Sequence, residues 1–118
     1  MQEPIKAYLT TALWSSSDVN GKPLDNRCNI SNISECTVQQ AFLDIRSFLE
    51  LCDALSVAWD EETDIHRLMH DFWLTRNHHG AGFWDGDYPI WGYKLTEVAH
   101  MFPEVELYVG DDGFIYHM

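Results

Sequence analysis

Hydrophobic residues recur at intervals of three and four along much of this chain, which is the spacing that places them on one face of an α-helix. The longest such pattern follows Ser34, a residue type favoured at helix N-caps. Its apolar positions are Val38, Ala41, Phe42, Ile45, Phe48, Leu49, Cys52, Leu55 and Trp59. The intervening acidic positions are Glu35, Asp44, Glu50 and Asp53, with Arg46 as the only cation among them. The pattern predicts a long core helix with an acidic outer face.

Three shorter helices are predicted from the same spacing. The first begins near Pro4, and the second runs from Ile65 into Arg76 and is expected to end at Gly80 and Gly82. The third begins near residues 87–89 and ends at Pro103. The residues expected to be buried in the core are Phe42, Ile45, Phe48, Leu49, Leu55, Leu68, Phe72, Leu95, Val98 and Phe102.

The C-terminal segment has a β pattern. Residues 105–109 and 114–117 are rich in β-formers and flank the turn sequence at 110–113, which predicts an antiparallel hairpin over 105–117. An isolated hairpin is unstable in water, so this one must pack on helices or pair with another strand, for instance around residues 83–84. The predicted fold is therefore α+β, with three to four helices and a small C-terminal sheet. It forms a single domain over 1–118, with residues 15–34 as a long polar connection.

Charge is distributed unevenly along the sequence. The formal net charge is −12, and residues 1–34 are neutral with three acids and three bases. The excess lies from Glu35 onward, where 16 acids face only Arg46, Arg67, Arg76 and Lys94. Such a field repels nucleic acid and membrane surfaces and attracts basic partners. Three cysteines without a CxxC spacing favour a reducing compartment, and no apolar run spans a bilayer, so we expect a cytoplasmic protein.

Residues 71–85, DFWLTRNHHGAGFWD, hold the densest group of side chains able to do chemistry. Arg76, Asn77, His79 and Asp85 surround two glycines, an arrangement that suits a small enzyme or an anion- or ligand-binding module. The structural alternative, which we expect, is an Arg76–Asp85 ion pair with Asn77 and His79 holding a tight loop. No serine or cysteine nucleophile lies in a recognisable motif, which favours a protein that is not an enzyme.

Two further constellations have both a functional and a structural interpretation. His66 and His70 share a helix face at the spacing of metal pairs, with His78, His79 or Asp85 as a third ligand. However, Arg67 replaces the glutamate of helical zinc hydrolases, so no metal or cofactor is predicted. Trp73, Phe83, Trp84 and Trp91 form either core or a stacking platform.

The central motif DFWLTRNHHGAGFWD and the C-terminal LYVGDDGFIY resemble a family of small proteins encoded by bacteriophages and plasmids. The resemblance implies a mobile-element origin and action inside a bacterial host cell, without implying a reaction. The family usually has glycine where this chain has His78, which indicates that the backbone there adopts a positive φ.

These observations favour an accessory protein that is not an enzyme and that binds and inhibits a host protein with a basic surface. A nucleic-acid-handling defence complex, such as a restriction or CRISPR complex, is one such partner. At −12 the charge favours simple inhibitory binding over full DNA mimicry. The alternative is a small enzyme or ligand-binding module in the central stretch. The candidate binding residues are Asp60, Glu61, Glu62, Asp64, Arg76, Asn77, His79, Trp84 and Asp85.

Overall fold

In the part of the chain that the structure describes, four α-helices precede a two-stranded antiparallel sheet, which confirms the predicted α+β class and the C-terminal hairpin. The computed structural model describes residues 2–18, 20–26, 28–55, 64–79, 82–83, 88 and 91–118. The elements are α1 (Glu3–Ser15), α2 (Glu35–Ala54), α3 (Ile65–Arg76), α4 (Gly92–His100), β1 (Leu107–Val109) and β2 (Ile115–His117). None of the helices in these described ranges is both long and apolar enough to cross a membrane.

Side-chain caps set the starts of two helices. The Ser34 hydroxyl accepts a hydrogen bond from the Thr37 N–H, which confirms Ser34 as the N-cap of α2. The Asp64 carboxylate accepts the N–H groups of His66 and Arg67 and begins α3. At its other end α2 stops at Ala54, earlier than the apolar pattern predicted, and residues 56–63 lie outside the described residues.

Helix α3 ends before the glycines that were expected to end it, so that prediction is wrong. Asn77 caps the helix, and His78 follows with φ of 56°. The His78 N–H donates to the Thr75 carbonyl at 3.1 Å and the His79 N–H to the Leu74 carbonyl at 3.0 Å. These two bonds define a Schellman motif, in which the residue at the His78 position takes the left-handed conformation. The positive φ expected at this position is confirmed.

The core is built around Phe48 of α2 and Phe72 of α3, whose rings stack at 4.1 Å. Ile45, Phe48, Leu68, Phe72, Leu95 and Val98 are buried as predicted, and Leu49 and Phe102 are partly buried. The expected burial of Phe42 and Leu55 is wrong, since they are 42% and 40% exposed. Successive helical residues are about 100° apart, so Phe42 lies well away from the face centred on Ala41, Ile45 and Phe48. Leu55 follows the last residue of α2.

The hairpin is supported by the two residues just before the start of α2. Ile115 forms a parallel bridge with Ile33 and accepts a 2.8 Å hydrogen bond from the Ser34 N–H. This support comes from the end of the 15–34 connection, and residue 84 lies outside the described residues. The connection itself is pinned by 3₁₀ turns at Leu24–Asn26 and Ile30–Asn32 and by the burial of Leu24 and Ile33.

Candidate functional site

Arg76 is buried at the centre of the molecule, with 1% of its surface exposed. Its Nε and Nη2 both donate to the carbonyl of Pro103, at 3.1 and 2.8 Å. Nη1 donates to the hydroxyl of Tyr8 at 3.0 Å and to Asp44 Oδ2 at 2.7 Å. One guanidinium therefore joins α1, α2 and the segment after α4. Because it is buried, it serves the fold rather than a ligand arriving from solvent.

Asp44 balances the charge of Arg76, which corrects its assignment to the acidic outer face. The Asp44 side chain is 17% exposed. It lies about 60° from the buried face of α2 by the helical angle between residues, close enough to turn inward. The expected partner, Asp85, lies outside the described residues, as do Asp60, Glu61, Glu62 and Trp84.

Tyr8 completes this network. Burial raises the pKa of its hydroxyl to about 12, with Arg76 opposing and Asp44 reinforcing the shift. The hydroxyl therefore stays neutral at ordinary pH and accepts the Arg76 hydrogen bond. Its role is structural.

Asn77 ties the end of α3 to the chain leading into β1. Its Nδ2 donates to the Trp73 carbonyl at 3.0 Å, and its Oδ1 accepts the Val105 N–H at 2.7 Å. Two residues earlier, the buried Thr75 hydroxyl accepts the Phe83 N–H at 3.1 Å. The amide of Asn77 is thus engaged with backbone groups at both ends, which does not suit an oxyanion donor.

Asn77 and His79 also line an open, polar cleft of about 320 Å³ between the end of α1 and the segment before β1. The remaining lining residues are Ser15, Ser16, Ser17, Trp73, Glu104, Val105, Glu106 and Leu107. Trp73 lies at its base and donates from Nε1 to Ser15 Oγ at 2.7 Å. Within the described part of the chain the lining contains no lysine or arginine. The cleft can therefore accept a cation better than an anion.

Glu104, Glu106 and the serines of this cleft were not among the residues predicted from the sequence. They are separated by more than eighty positions in the chain and belong to no motif. The one sequence feature that could have indicated this cleft is the pair of acids at alternate positions before β1.

The two histidines of α3, His66 and His70, contact different acidic residues. His66 Nε2 lies 3.4 Å from Glu3 Oε2, whereas His70 Nδ1 lies 3.0 Å from Asp71 Oδ1. Asp71 is buried, and its other oxygen has no hydrogen-bond partner among the described residues. Within the same residues no group of three His, Cys, Asp or Glu side chains is placed to hold a metal ion.

Two of the aromatic candidates, Trp73 and Phe83, and the Cys52 thiol belong to the core. Trp73 and Phe83 are buried, so they do not form a stacking platform, and Trp91 is partly covered by Lys94. Burial raises the pKa of the Cys52 thiol to about 12, which leaves it unreactive. These side chains contribute packing rather than chemistry.

A comparison of this chain with models of protein families, with curated proteins and with solved structures finds no match.

Proposed function

We propose that this protein is a phage- or plasmid-encoded accessory protein that is not an enzyme, and that its acidic surface binds and inhibits a host protein with a basic surface. One observation carries the proposal. The chain has no lysine or arginine after Lys94, and the carboxylates beyond that point are all exposed. They are Glu97, Glu104, Glu106, Asp111 and Asp112.

The roles of the central residues support binding over catalysis. Arg76 and Asn77, the strongest candidates for chemistry, are bonded to neighbouring parts of the fold. An anion-binding module at this position is disfavoured, because the guanidinium is buried and the adjoining cleft carries Glu104 and Glu106.

The proposed mode of action follows from charge complementarity. Carboxylates on a folded surface can occupy a basic groove in place of phosphates and speed the encounter with it. The resemblance to phage and plasmid proteins supports a bacterial host protein as the target. A nucleic-acid-handling defence complex has the basic groove that this surface requires.

The test compares two charge-neutralised variants in capture of host proteins from a bacterial lysate at low and high salt. The first replaces Glu97, Glu104, Glu106 and Asp111 with their amides. The matched control replaces Glu3, Asp25, Glu50 and Asp53, which are also exposed. Both variants lose four negative charges, so they differ only in where the charge is removed.

We expect the control to retain a basic partner that is released at high salt, and the first variant to lose it. The purified protein should also inhibit the activity of that partner in proportion to binding. Equal capture by both variants would contradict the proposed surface, and binding without inhibition would contradict the proposed inhibitory role.

A further inference from the structure

Two residues on the outer edge of β1 have backbone groups without a hydrogen-bond partner among the described residues. The Gly110 N–H donates to Phe114 O at 2.7 Å, and the Met118 N–H donates to Glu106 O at 2.9 Å. Hydrogen-bonded pairs alternate along an antiparallel ladder, so the N–H and C=O groups of Leu107 and Val109 point away from β2. Among the described residues no strand or bridge pairs with this edge.

The polar cleft adjoins this open edge. Residues 104–107 form one wall of the cleft, and Ser15, Ser16 and Ser17 at the end of α1 form the other. A chain laid beside β1 would therefore run directly into the cleft, over Trp73. Farther along, the exposed side chains of Tyr108 and Val109 offer apolar contacts beside the same edge.

We propose that the β1 edge and the cleft together form a docking site for an extended, basic segment of the protein partner. The segment adds to the sheet as a third strand and directs a lysine or arginine side chain into the cleft, toward Glu104 and Glu106. Strand addition draws its affinity from backbone hydrogen bonds and its specificity from alternate side chains. The inference rests on the proposed function and identifies where, and in what conformation, the partner binds.

Charge selects the occupant of this edge. Glu104 and Glu106 lie at one end of β1 and Asp111 lies just beyond the other, all exposed. A second copy of this chain would bring the same carboxylates against each other, and charged edges of this kind prevent self-pairing. A basic segment neutralises both ends.

The probe is a capped peptide of alternating valine and lysine, titrated into isotopically labelled protein and followed by amide chemical shifts. We expect the largest changes at Leu107 and Val109 and along the cleft. Two methylated peptides, each with one set of alternate backbone nitrogens blocked, should behave differently. Methylating the set that bonds to β1 should abolish binding, and methylating the set that faces solvent should not. A matched peptide of valine and glutamate should not bind.

Two protein variants test the backbone and charge contributions separately. Val109→Pro removes an outward N–H while sparing the ladder to β2, as proline at a sheet edge does, and should weaken peptide binding at least about tenfold. Glu104→Gln with Glu106→Gln should weaken it by about three- to tenfold, which is the scale of two exposed ion pairs. Glu50→Gln with Asp53→Asn removes the same charge from α2 and should have no effect.

Three results would overturn strand addition. They are wild-type peptide affinity in Val109→Pro, chemical-shift changes confined to another surface, and no peptide binding at all.

Repeating the lysate capture with Val109→Pro separates this inference from the proposed function. Partner capture that is lost on neutralising the C-terminal carboxylates, yet kept by Val109→Pro, leaves the proposed function standing without this site. If no carboxylate change affects partner capture, the proposed function itself is contradicted.

Discussion

Arg76 was a candidate binding residue in the sequence, and in the fold it is a buried structural centre. Its planar guanidinium presents five donors in a rigid fork, whereas a lysine has three donors on a single nitrogen. Here those donors satisfy the Pro103 carbonyl, the Tyr8 hydroxyl and the Asp44 carboxylate, while the rings of Phe72 and Phe102 lie 5.6 and 5.3 Å from its central carbon. Such a residue is expected to control stability.

Replacing Arg76 with alanine should lower the free energy of unfolding by about 3–5 kcal/mol, because it leaves the Asp44 carboxylate without its buried partner. Urea denaturation measures the loss. Arg46→Ala is the control, since the Arg46–Glu50 pair is 66% exposed on both sides and should change stability by less than about 1 kcal/mol. A similarly small effect of Arg76→Ala would show that the network is dispensable.

His78 occupies a position whose conformation favours glycine. Both His78→Gly and His78→Ala remove the stacking on His100 at 4.5 Å. Because a left-handed residue with a Cβ is strained by about 1–2 kcal/mol, the glycine variant should be the more stable of the two by about 1 kcal/mol. The same pair at His70, in the middle of α3, should show the reverse order, with alanine more stable by about 0.5–1 kcal/mol. The same order at both positions would argue against the Schellman motif.

Tyr8 is expected to cause a loss of stability at alkaline pH. Its pKa is raised from 10.0 to about 12 in the folded state. The unfolded chain therefore releases this proton first, and the contribution is complete below pH 10 and lost as pH rises toward 12. A difference of one in pKa between the folded and unfolded states corresponds to about 1.4 kcal/mol, so this residue should reduce the free energy of unfolding by about 2–3 kcal/mol over that interval. The free energy of unfolding of Tyr8→Phe, measured by denaturation across the same pH range, should lack this part of the decrease with pH. An unchanged decrease would mean that other groups cause it.

At the scale of the element, α2 has an apolar stripe wider than the face it buries. Ala41, Ile45, Phe48 and Cys52 point to the core, whereas Phe42 and Leu43 remain exposed. The helix packs against α1, α4 and β2, and its Phe48 side chain stacks on Phe72 of α3. Those neighbours cover only one side of it.

Two phenylalanines of α2 give a matched test of this orientation. Phe48→Ala should lower the free energy of unfolding by about 3–5 kcal/mol, because it empties a packed aromatic site. Phe42→Ala removes the same atoms from a position 42% exposed and should cost less than about 1 kcal/mol. Chemical denaturation of the two variants measures the difference, and equal losses would mean that the helix is rotated from its described orientation.

For the whole molecule, net charge is the dominant electrostatic property. At −12 the folded chain holds like charges closer together than the unfolded chain does, so self-repulsion opposes folding. The Arg46–Glu50 ion pair is exposed on both sides and contributes little.

Added salt should therefore raise the midpoint of thermal unfolding, because it screens the repulsion within a Debye length of about 10 Å at 0.1 M ionic strength. Calorimetry at increasing sodium chloride concentration measures the effect. A variant with four exposed acids changed to amides should show a smaller rise. A midpoint that falls with salt would mean that attractive pairs outweigh the net repulsion.

Most of the secondary-structure elements and the uneven charge follow from the sequence alone. Helix periodicity, the N-cap at Ser34 and the hairpin turn are local properties, and each depends on residues a few positions apart. The positive φ of His78 is different, because it was expected from a family resemblance and not from a local pattern in the chain.

Contacts between residues far apart in the chain depend on how the elements pack together. The partners of Arg76 at Tyr8, Asp44 and Pro103 are between 27 and 68 positions away in sequence, and no local pattern specifies such pairs. Asp44 looked like one of several acids on an outer face until its helix was packed beside α3. The cleft arose in the same way, because Ser15 and Glu106 become neighbours only when α1 and the segment before β1 pack against the end of α3. Local propensity fixes the elements, whereas burial of their shared apolar faces selects the distant contacts.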